Sequence, residues 1–363
     1  LLENIVVPTS VTSIGSNAFG GCALTSITLP FVGNEKEGTS YTHFGYIFGA
    51  STYDYNGIYV PSSLKEVIIT GGETIGEYAF SSCTSLSSIT IPDSVTSIGN
   101  SAFENCTKLI SITIGDSVTT IGSSAFESCT SLTSITIPDS VTSIGDSAFS
   151  DCSALESITI GNSVTSIGSN AFGNCTALKD VYITDIAKWC NIEFHNRKSN
   201  PMYYADNEYY NGSILSSITI PDSVKNIRDY ALCYCSSLTD VVFEGVPPTL
   251  VGDYAFYYFS SKNLCGYYKP EHREAWKAVI DENGMWNGLE MYMEGGYAVR
   301  FNPNGDNDFP VKNEMAEQVL LIDEEQPLAI NLFERDGFDF GGWATYPQSV
   351  VAMYEEGGAH DVE

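Results

Sequence analysis

Residues Leu132 to Cys152 read LTSITIPDSVTSIGDSAFSDC, and this stretch is one unit of a repeat that occupies most of the chain. Its phenylalanine recurs every 23 residues, and a cysteine follows three residues after each one, at Phe80, Phe103, Phe126, Phe149 and Phe172. Aligned on the leading leucine, the units begin at Leu2, Leu24, Leu64, Leu86, Leu109, Leu132, Leu155, Leu178, Leu215 and Leu238. A fixed period of about 20–50 residues is typical of stacked repeats, so the chain is predicted to form a solenoid.

Each unit is predicted to contain two short extended segments and a closing turn. The opening L-x-x-I-x-I alternates apolar residues with Ser134 and Thr136, so a strand would bury the first set and expose the second. Pro138-Asp139-Ser140 predicts a turn, and Val141 to Ile144 predicts a second extended segment. Ala148-Phe149 then predicts a tight helical or 3₁₀ turn. One unit cannot bury its apolar edge alone, so neighbouring units are expected to stack and form a shared core.

The motif quoted above resembles the BspA-type leucine-rich repeats of bacterial surface proteins, over about residues 1–290. The resemblance implies a right-handed α/β horseshoe solenoid, rich in strands with short helical turns, and a role in adhesion. It also covers two inserts, at 31–60 and 185–213, and a cap at 264–290 that reads as a strand followed by a helix from Glu271 to about Asp281. Arg228 replaces the usual glycine, which indicates that the turn does not strictly require glycine.

Residues 297–363 depart from the period. The strand-like Tyr297 to Phe301 and the stretch FERDGFDFGGWAT from Phe333 to Thr345 resemble an internalin-type B repeat, also called the Listeria–Bacteroides repeat. That resemblance implies a small β-grasp-like module, which in its family serves as a spacer or accessory adhesion unit on exported proteins.

The composition disfavours several classes of function. The chain has 45 acidic and 16 basic residues, a net charge of −29, so we expect no nucleic-acid partner and no charge-driven membrane binding. We also expect no membrane insertion, because no apolar run approaches the length of a spanning helix. Since the chain opens inside a repeat, we expect any export signal or anchor to lie outside it.

The cysteines and histidines do not predict a catalytic or metal site. Ten cysteines mostly share one repeat position, which predicts a row of buried free thiols, with disulfides between adjacent units as the alternative. Only Cys233-x-Cys235 has short spacing, and a metal role for it is the weaker interpretation. The four histidines lie in separate segments. We therefore expect no catalytic residues, no metal and no cofactor.

Two kinds of surface remain as candidates for binding. The strand row represented by Ser134, Thr136 and Asp139 is either a binding face, a row of cation ligands or an ordinary solvated sheet face. The inserts are rich in aromatic residues, which either contact a ligand or fold back over the solenoid. The candidates there are Tyr41, His43, Phe44, Tyr46, Tyr53, Tyr55, Trp189, Tyr203 and Tyr204.

These observations predict a non-enzymatic binding or adhesion protein, extracellular or on the bacterial surface. Its partner would be a host or bacterial surface protein or a glycan, and it would bind that partner as a monomer. The alternatives are a structural spacer that displays other domains, or a non-catalytic arm of a larger secreted enzyme.

Overall fold

The computed structural model describes residues 2–36, 38–257 and 264–294 with their side chains. Beyond these it describes only the backbone of four short strands, Gly296–Val299, Gln318–Leu321, Asp339–Phe340 and Tyr354–Glu355. The chain divides into two compact units, one of residues 1–264 with 287–289, and a second of residues 265–286 with 290–363.

The first unit is a stack of coils, as the period predicts. Each coil contributes a first strand, and within a sheet these strands pair in parallel with the same repeat positions aligned, for example Ser134 with Ser157 and Ile135 with Ile158. The row is divided into separate sheets between Thr113 and Ser134 and between Tyr210 and Ser217. The first strands are Asn4–Val6, Ser26–Leu29, Glu66–Ile69, Ser88–Thr90, Ser111–Thr113, Ser134–Thr136, Ser157–Thr159, Asp180–Ile183, Asn207–Tyr210, Ser217–Ile220 and Asp240–Phe243.

Each regular coil also has a shorter second strand. These strands are Thr74–Ile75, Ser97–Ile98, Thr120–Ile121, Ser143–Ile144, Ser166–Ile167, Glu193–Phe194, Asn226–Ile227 and Leu250–Val251. The first six form one sheet, and the last two form a separate sheet. The second-strand sheet is therefore interrupted between Phe194, which lies in the second insert, and Asn226.

The shared core consists of the residues that the repeat aligns. Leu132, Val141, Phe149 and Cys152 are fully buried, and Ile135 and Ile144 are nearly so. The phenylalanines Phe80, Phe103, Phe126, Phe149 and Phe172 form a row, the phenylalanine ladder, with ring centroids 5.1–5.4 Å apart and nearly parallel planes. Each ring thus buries its faces against the coils on both sides.

The closing segment of a regular coil is a series of turns, so the tight turn predicted at Ala148-Phe149 is present, but it does not extend into a helix or 3₁₀ helix. Ser147 and Asp151 adopt left-handed backbone conformations, with φ of 53° and 60°. Equivalent residues do so in the other regular coils, and a left-handed residue every fourth position interrupts any right-handed helix. Among the described residues, helical segments occur in the inserts and in the cap only: Phe44–Phe48, Tyr53–Tyr55, Asn56–Tyr59, Ile186–Trp189, Arg197–Ser199, Pro201–Tyr203, Pro270–His272 and Arg273–Lys277.

Adjacent coils approach so closely that the repeated glycine has no room for a side chain. A Cβ added at Gly122 would lie 2.6 Å from the backbone N of Asn100 in the preceding coil, although Gly122 has no positive φ. The turn itself therefore does not require glycine, as the sequence indicates, but the neighbouring coil does. At Arg228 the preceding regular strand is missing, and the larger residue fits there.

The second unit contains the predicted cap. Its strand Cys265–Tyr268 pairs in parallel with Leu289–Met293, and Met285–Trp286 forms a further strand. The predicted helix is a 3₁₀ turn followed by Arg273–Lys277, and it places Trp276, fully buried, between Tyr268 and Trp286. In the tail, Gly296–Val299 pairs antiparallel with Gln318–Leu321, and Asp339–Phe340 with Tyr354–Glu355. The expected β-grasp-like module otherwise lies outside the described residues and stays a prediction.

Candidate functional site

The outward polar row on the first strands is exposed, and its aspartates connect the coils. Ser134, Thr136 and Asp139 are all exposed. The carboxylate of Asp139 accepts a 2.8 Å hydrogen bond from the backbone N–H of Asn162, and Asp93 accepts one from Asp116 in the same way. Within the described ranges no group of three or more His, Cys, Asp or Glu could hold a metal ion. These turn acids thus act as links between coils.

The first insert buries two of its candidate residues. Phe44 is fully buried and packs on Phe80 at 4.8 Å, at the start of the phenylalanine ladder. His43 is 6% exposed, with Nε2 3.2 Å from the carbonyl O of Ala50, and burial lowers its pKa. Neither side chain can contact a ligand from this position, so both are corrected from candidate binding residues to core residues.

Tyrosines of the same insert remain at the surface. Tyr41, Tyr53 and Tyr55 are 53%, 37% and 46% exposed, while Tyr46 is half-buried against Tyr41. Tyr53 stacks on Tyr78 of the following coil, with ring centroids 4.1 Å apart and planes 10° apart. The insert therefore carries both core side chains and exposed rings.

Each insert also supplies hydrogen bonds that the interrupted stack would lack. In regular coils, the N–H of one coil's phenylalanine donates to the carbonyl of the next coil's alanine, as from Phe126 to Ala148. After the first insert, Asn56 is fully buried and its amide donates to the carbonyls of Tyr78, Ala79 and Ser81. The carbonyls of Tyr78 and Ala79 also accept the backbone N–H groups of Ser81 and Phe44, whereas that of Ser81 accepts only from Asn56 among the described residues. A buried backbone carbonyl without a donor is costly, so Asn56 supplies the bond that Ser81 would otherwise lack.

The second insert uses the same device. The amide of fully buried Asn200 donates to the carbonyl of Tyr230 at 2.8 Å, and the indole N–H of Trp189 donates to that of Ala231 at 2.7 Å. Trp189 is 2% exposed, so it too is corrected from a candidate ligand contact to a structural residue. Tyr203 and Tyr204 are half-buried, and the hydroxyl of Tyr204 accepts a hydrogen bond from the backbone N–H of Asn174.

A second group of tyrosines joins the predicted Tyr203 and Tyr204 with four that were not predicted as site residues, Tyr230, Tyr234, Tyr254 and Tyr257. Tyr203 makes edge-to-face contacts with Tyr204 and with Tyr234, Tyr234 contacts Tyr257, and Tyr254 contacts both Tyr257 and Tyr230. Tyr230, Tyr234 and Tyr254 occupy left-handed positions where regular coils have Ser, Asn or Asp. A bulky residue there is strained, and that replacement in the repeat alignment was the available signal.

The cysteines are free, as predicted, and eight of the ten are buried. The thiols of successive coils align, and Sγ of Cys129 donates to the carbonyl of Phe103 at 3.2 Å. Burial raises the pKa of Cys106 and of Cys175 to about 12. Cys233 and Cys235 lie in the core as well, the latter against the sulfur of Met202. These environments favour packing over redox or metal chemistry.

One acidic residue is buried in the core. Glu208 occupies the inward strand position that Val181 holds in the neighbouring coil, and it is fully buried. Its carboxylate accepts hydrogen bonds from the backbone N–H groups of Ser236 and Ser237, while desolvation raises its pKa.

No helix in the described part of the chain is long and apolar enough to span a bilayer.

Solved structures of three bacterial leucine-rich-repeat proteins resemble parts of this chain. A cell surface protein from Faecalibacterium prausnitzii is 38% identical over 53% of this chain and 51% of its own, with a TM-score of 0.37. The Treponema pallidum leucine-rich-repeat protein is 25% identical over 52% and 72%, with a TM-score of 0.33. A protein from Eubacterium ventriosum is 24% identical over 61% and 57%, with a TM-score of 0.35.

These likenesses are partial. The chain spans about half the length of the Faecalibacterium protein, and TM-scores below 0.5 do not establish a common overall fold. No curated protein is significantly similar to it. The model of the BspA type leucine-rich-repeat region, in contrast, matches six copies, over residues 1–40, 73–201 and 203–266. The matched ranges make up more than half of the sequence and contain most of the coils described above. The chain therefore belongs to the BspA-type leucine-rich-repeat family.

Proposed function

We propose that this protein is a non-enzymatic binding protein, displayed on or secreted from a bacterial cell, that contacts a partner protein or glycan through its first insert. The observation that carries the proposal is an exposed patch, the first-insert patch, formed by Tyr53, Tyr55, Ile58 and Tyr59. Their exposures are 37%, 46%, 74% and 47%. Contiguous exposed apolar and aromatic side chains mark interaction sites on soluble proteins, because they gain most from being covered.

The patch is held rigidly against the solenoid. The helix Asn56–Tyr59 is fixed by the three carbonyl bonds of Asn56, and a Cβ added at Gly57 would lie 2.6 Å from the carbonyl O of Ser82. Tyr53 is fixed by its stacking on Tyr78. Preorganised tyrosines lose little conformational entropy on binding, which favours affinity.

The family and the charge support the same proposal. Leucine-rich-repeat proteins mediate protein–protein interactions, and BspA-type members are surface proteins. A net charge of −29 disfavours nucleic acid and anionic lipid as partners. Adhesion is the form of binding that the family resemblance favours.

The proposal is tested with a triple variant of the patch, Tyr55→Ala, Ile58→Ser and Tyr59→Ala, and a control variant of the polar row, Ser134→Ala with Thr136→Ala. Both sets are exposed, so neither should alter the melting temperature much. Each protein is applied to immobilised matrix proteins, a glycan array and intact bacterial cells. We expect the wild type and the control to bind at least one target, and the triple variant to lose about 10-fold or more in affinity. Failure of the wild type on all three panels, or equal binding by the triple variant, contradicts the proposal and favours a spacer.

A further inference from the structure

A cleft of about 410 Å³ opens in the first unit where the second-strand sheet is interrupted. On one side of the cleft, Glu193 lies in the last strand before the interruption and His195 directly follows that strand. On the other side, Arg228 and Asp229 directly follow Asn226–Ile227, the first strand beyond the interruption. We refer to this feature as the interruption cleft. Its volume lies in the range of about 300–1,000 Å³ that is usual for small-molecule sites.

Arg228 is the residue that the packing of the coil does not explain. At the same repeat position Gly99 and Gly122 have no room for a Cβ, and Arg228 is accommodated only because the cleft replaces the preceding coil. Its backbone N–H still donates to the carbonyl of Cys190 at 2.8 Å, so the turn is fixed as in other coils. Its guanidinium has no hydrogen bond or ion pair with any residue that the structure describes. In a chain with 45 acids and 16 bases, an unpaired arginine at a glycine position is available for a ligand.

The cleft offers donors and acceptors together. The guanidinium of Arg228 and the hydroxyl of Ser169 can donate, while the carboxylate of Glu193 is 64% exposed and can accept. His195 lies 4.0 Å from Glu193 and 3.4 Å from the hydroxyl of Ser166. One oxygen of Asp229 accepts the backbone N–H of Asp253 at 2.9 Å, which holds this carboxylate in place.

This combination fits hydroxyl groups better than an ion. A hydroxyl group accepts a hydrogen bond from an arginine or a histidine and donates one to a carboxylate. An anion would be repelled by Glu193 and Asp229, and a cation would be repelled by Arg228. The net charge of −29 also repels anions at long range. Leu250, 48% exposed, adds apolar area at the cleft, against which the C–H face of a sugar ring can pack.

We propose that the interruption cleft binds one neutral hexopyranose unit of a glycan. The inference deepens the proposed function, because it names a ligand class, but it concerns a surface other than the first-insert patch. The two can therefore fail separately: a variant of the first-insert patch should keep hexose binding.

The test measures binding of methyl glycosides of glucose, galactose, mannose and N-acetylglucosamine by saturation-transfer NMR and titration, with methyl glucuronide as the anionic probe. The variants are Arg228→Gly, which installs the residue of the regular coils, and Glu193→Gln, which keeps the shape of an exposed side chain. Lys225→Ala, an exposed cation in the coil of Arg228, is the control.

We expect at least one neutral glycoside to bind the wild type and the control with a millimolar dissociation constant. Arg228→Gly and Glu193→Gln should each weaken it about 10-fold, since each removes a charge-assisted hydrogen bond. The inference is overturned by any of three results: no neutral glycoside binding up to tens of millimolar, binding of methyl glucuronide alone, or unchanged affinity in both cleft variants. If Arg228→Gly does not fold, Glu193→Gln alone decides, because its side chain is largely solvated.

Discussion

Replacing Gly122 by alanine tests the coil stacking most directly. The added Cβ would lie 2.6–2.7 Å from three atoms of the preceding coil, the N and Oδ1 of Asn100 and the carbonyl C of Gly99. Two of these, the N of Asn100 and the C of Gly99, are backbone atoms that cannot rotate away. Real Cβ contacts are essentially never that short, so the coils must separate or shift. Overpacking of a well-packed interior costs about 1–3 kcal/mol, and we expect Gly122→Ala to lie at the upper end, near 3 kcal/mol.

Gly15 provides the matched control. It holds the same repeat position in the first coil, where a Cβ would have no atom within 4 Å and the residue has no positive φ. Gly15→Ala should therefore be neutral, or stabilise by about 0.4–1 kcal/mol through the unfolded chain. The assay is denaturant unfolding followed by far-UV circular dichroism. Equal destabilisation by both substitutions would show that the turn requires glycine and would refute the role given to the neighbouring coil.

Four further predictions concern the core. Phe126→Ala should lower the free energy of unfolding by about 3–5 kcal/mol, because it removes a ring stacked at 5.1 and 5.2 Å on Phe103 and Phe149; a loss below about 1 kcal/mol in denaturant melts would contradict the phenylalanine ladder. Asn56→Leu should cost about 2 kcal/mol or more by leaving the buried carbonyl of Ser81 and the buried N–H of Gly45 without their partner, whereas Asn100→Leu, which removes a solvent-exposed hydrogen bond from the N–H of Ser123, should cost less in the same melts. The thiols of Cys106 and Cys175, with pKa values raised to about 12, should stay unmodified by a thiol reagent at pH 8 in the folded protein, while all ten cysteines react after denaturation without reductant; fewer than ten would indicate disulfides. Burial raises the pKa of Glu208, so this carboxyl keeps its proton to higher pH in the folded state than in the unfolded chain, and stability falls as pH rises above about 4.5 through the folded pKa. Glu208→Gln should reduce this fall in stability, measured by melts across that pH range, and an unchanged pH dependence would show that other groups cause it.

The regular coils could be predicted well from the sequence, because each repeat position aligns and packs with the same position in the two neighbouring coils. The strand register, the buried Phe149 and Cys152, and the exposed Ser134 all follow from the period. A closing turn was predicted, but its left-handed residues were not, because nothing in a single unit signals that Ser147 and Asp151 adopt left-handed conformations. That regularity appears only when all coils are compared in a structure.

The inserts could be located from the sequence, but the roles of their residues could not. Asn56 and Asn200 bind backbone carbonyls of residues more than 20 positions away, and no side-chain pattern marks such carbonyls. The aromatic content of the inserts was equally compatible with core and with surface. The structure divides it, with Phe44 and Trp189 in the core and Tyr53 and Tyr55 at the surface.

The division between regular coils and inserts also explains where function can reside in this protein. In a regular coil nearly every repeat position is constrained by the neighbouring coils. The glycine leaves room for the preceding coil, the phenylalanine and cysteine fill the core, and the aspartate accepts a hydrogen bond from the next coil's N–H. A substitution there that served a ligand would weaken the stack. Where the stack is interrupted, a few side chains such as Asn56 and Trp189 restore the lost bonds, and the remaining positions are free of the repeat's constraints. The exposed first-insert patch and Arg228, whose guanidinium has no partner among the described residues, both lie at such interruptions, which is where selection for binding can act without loss of the fold.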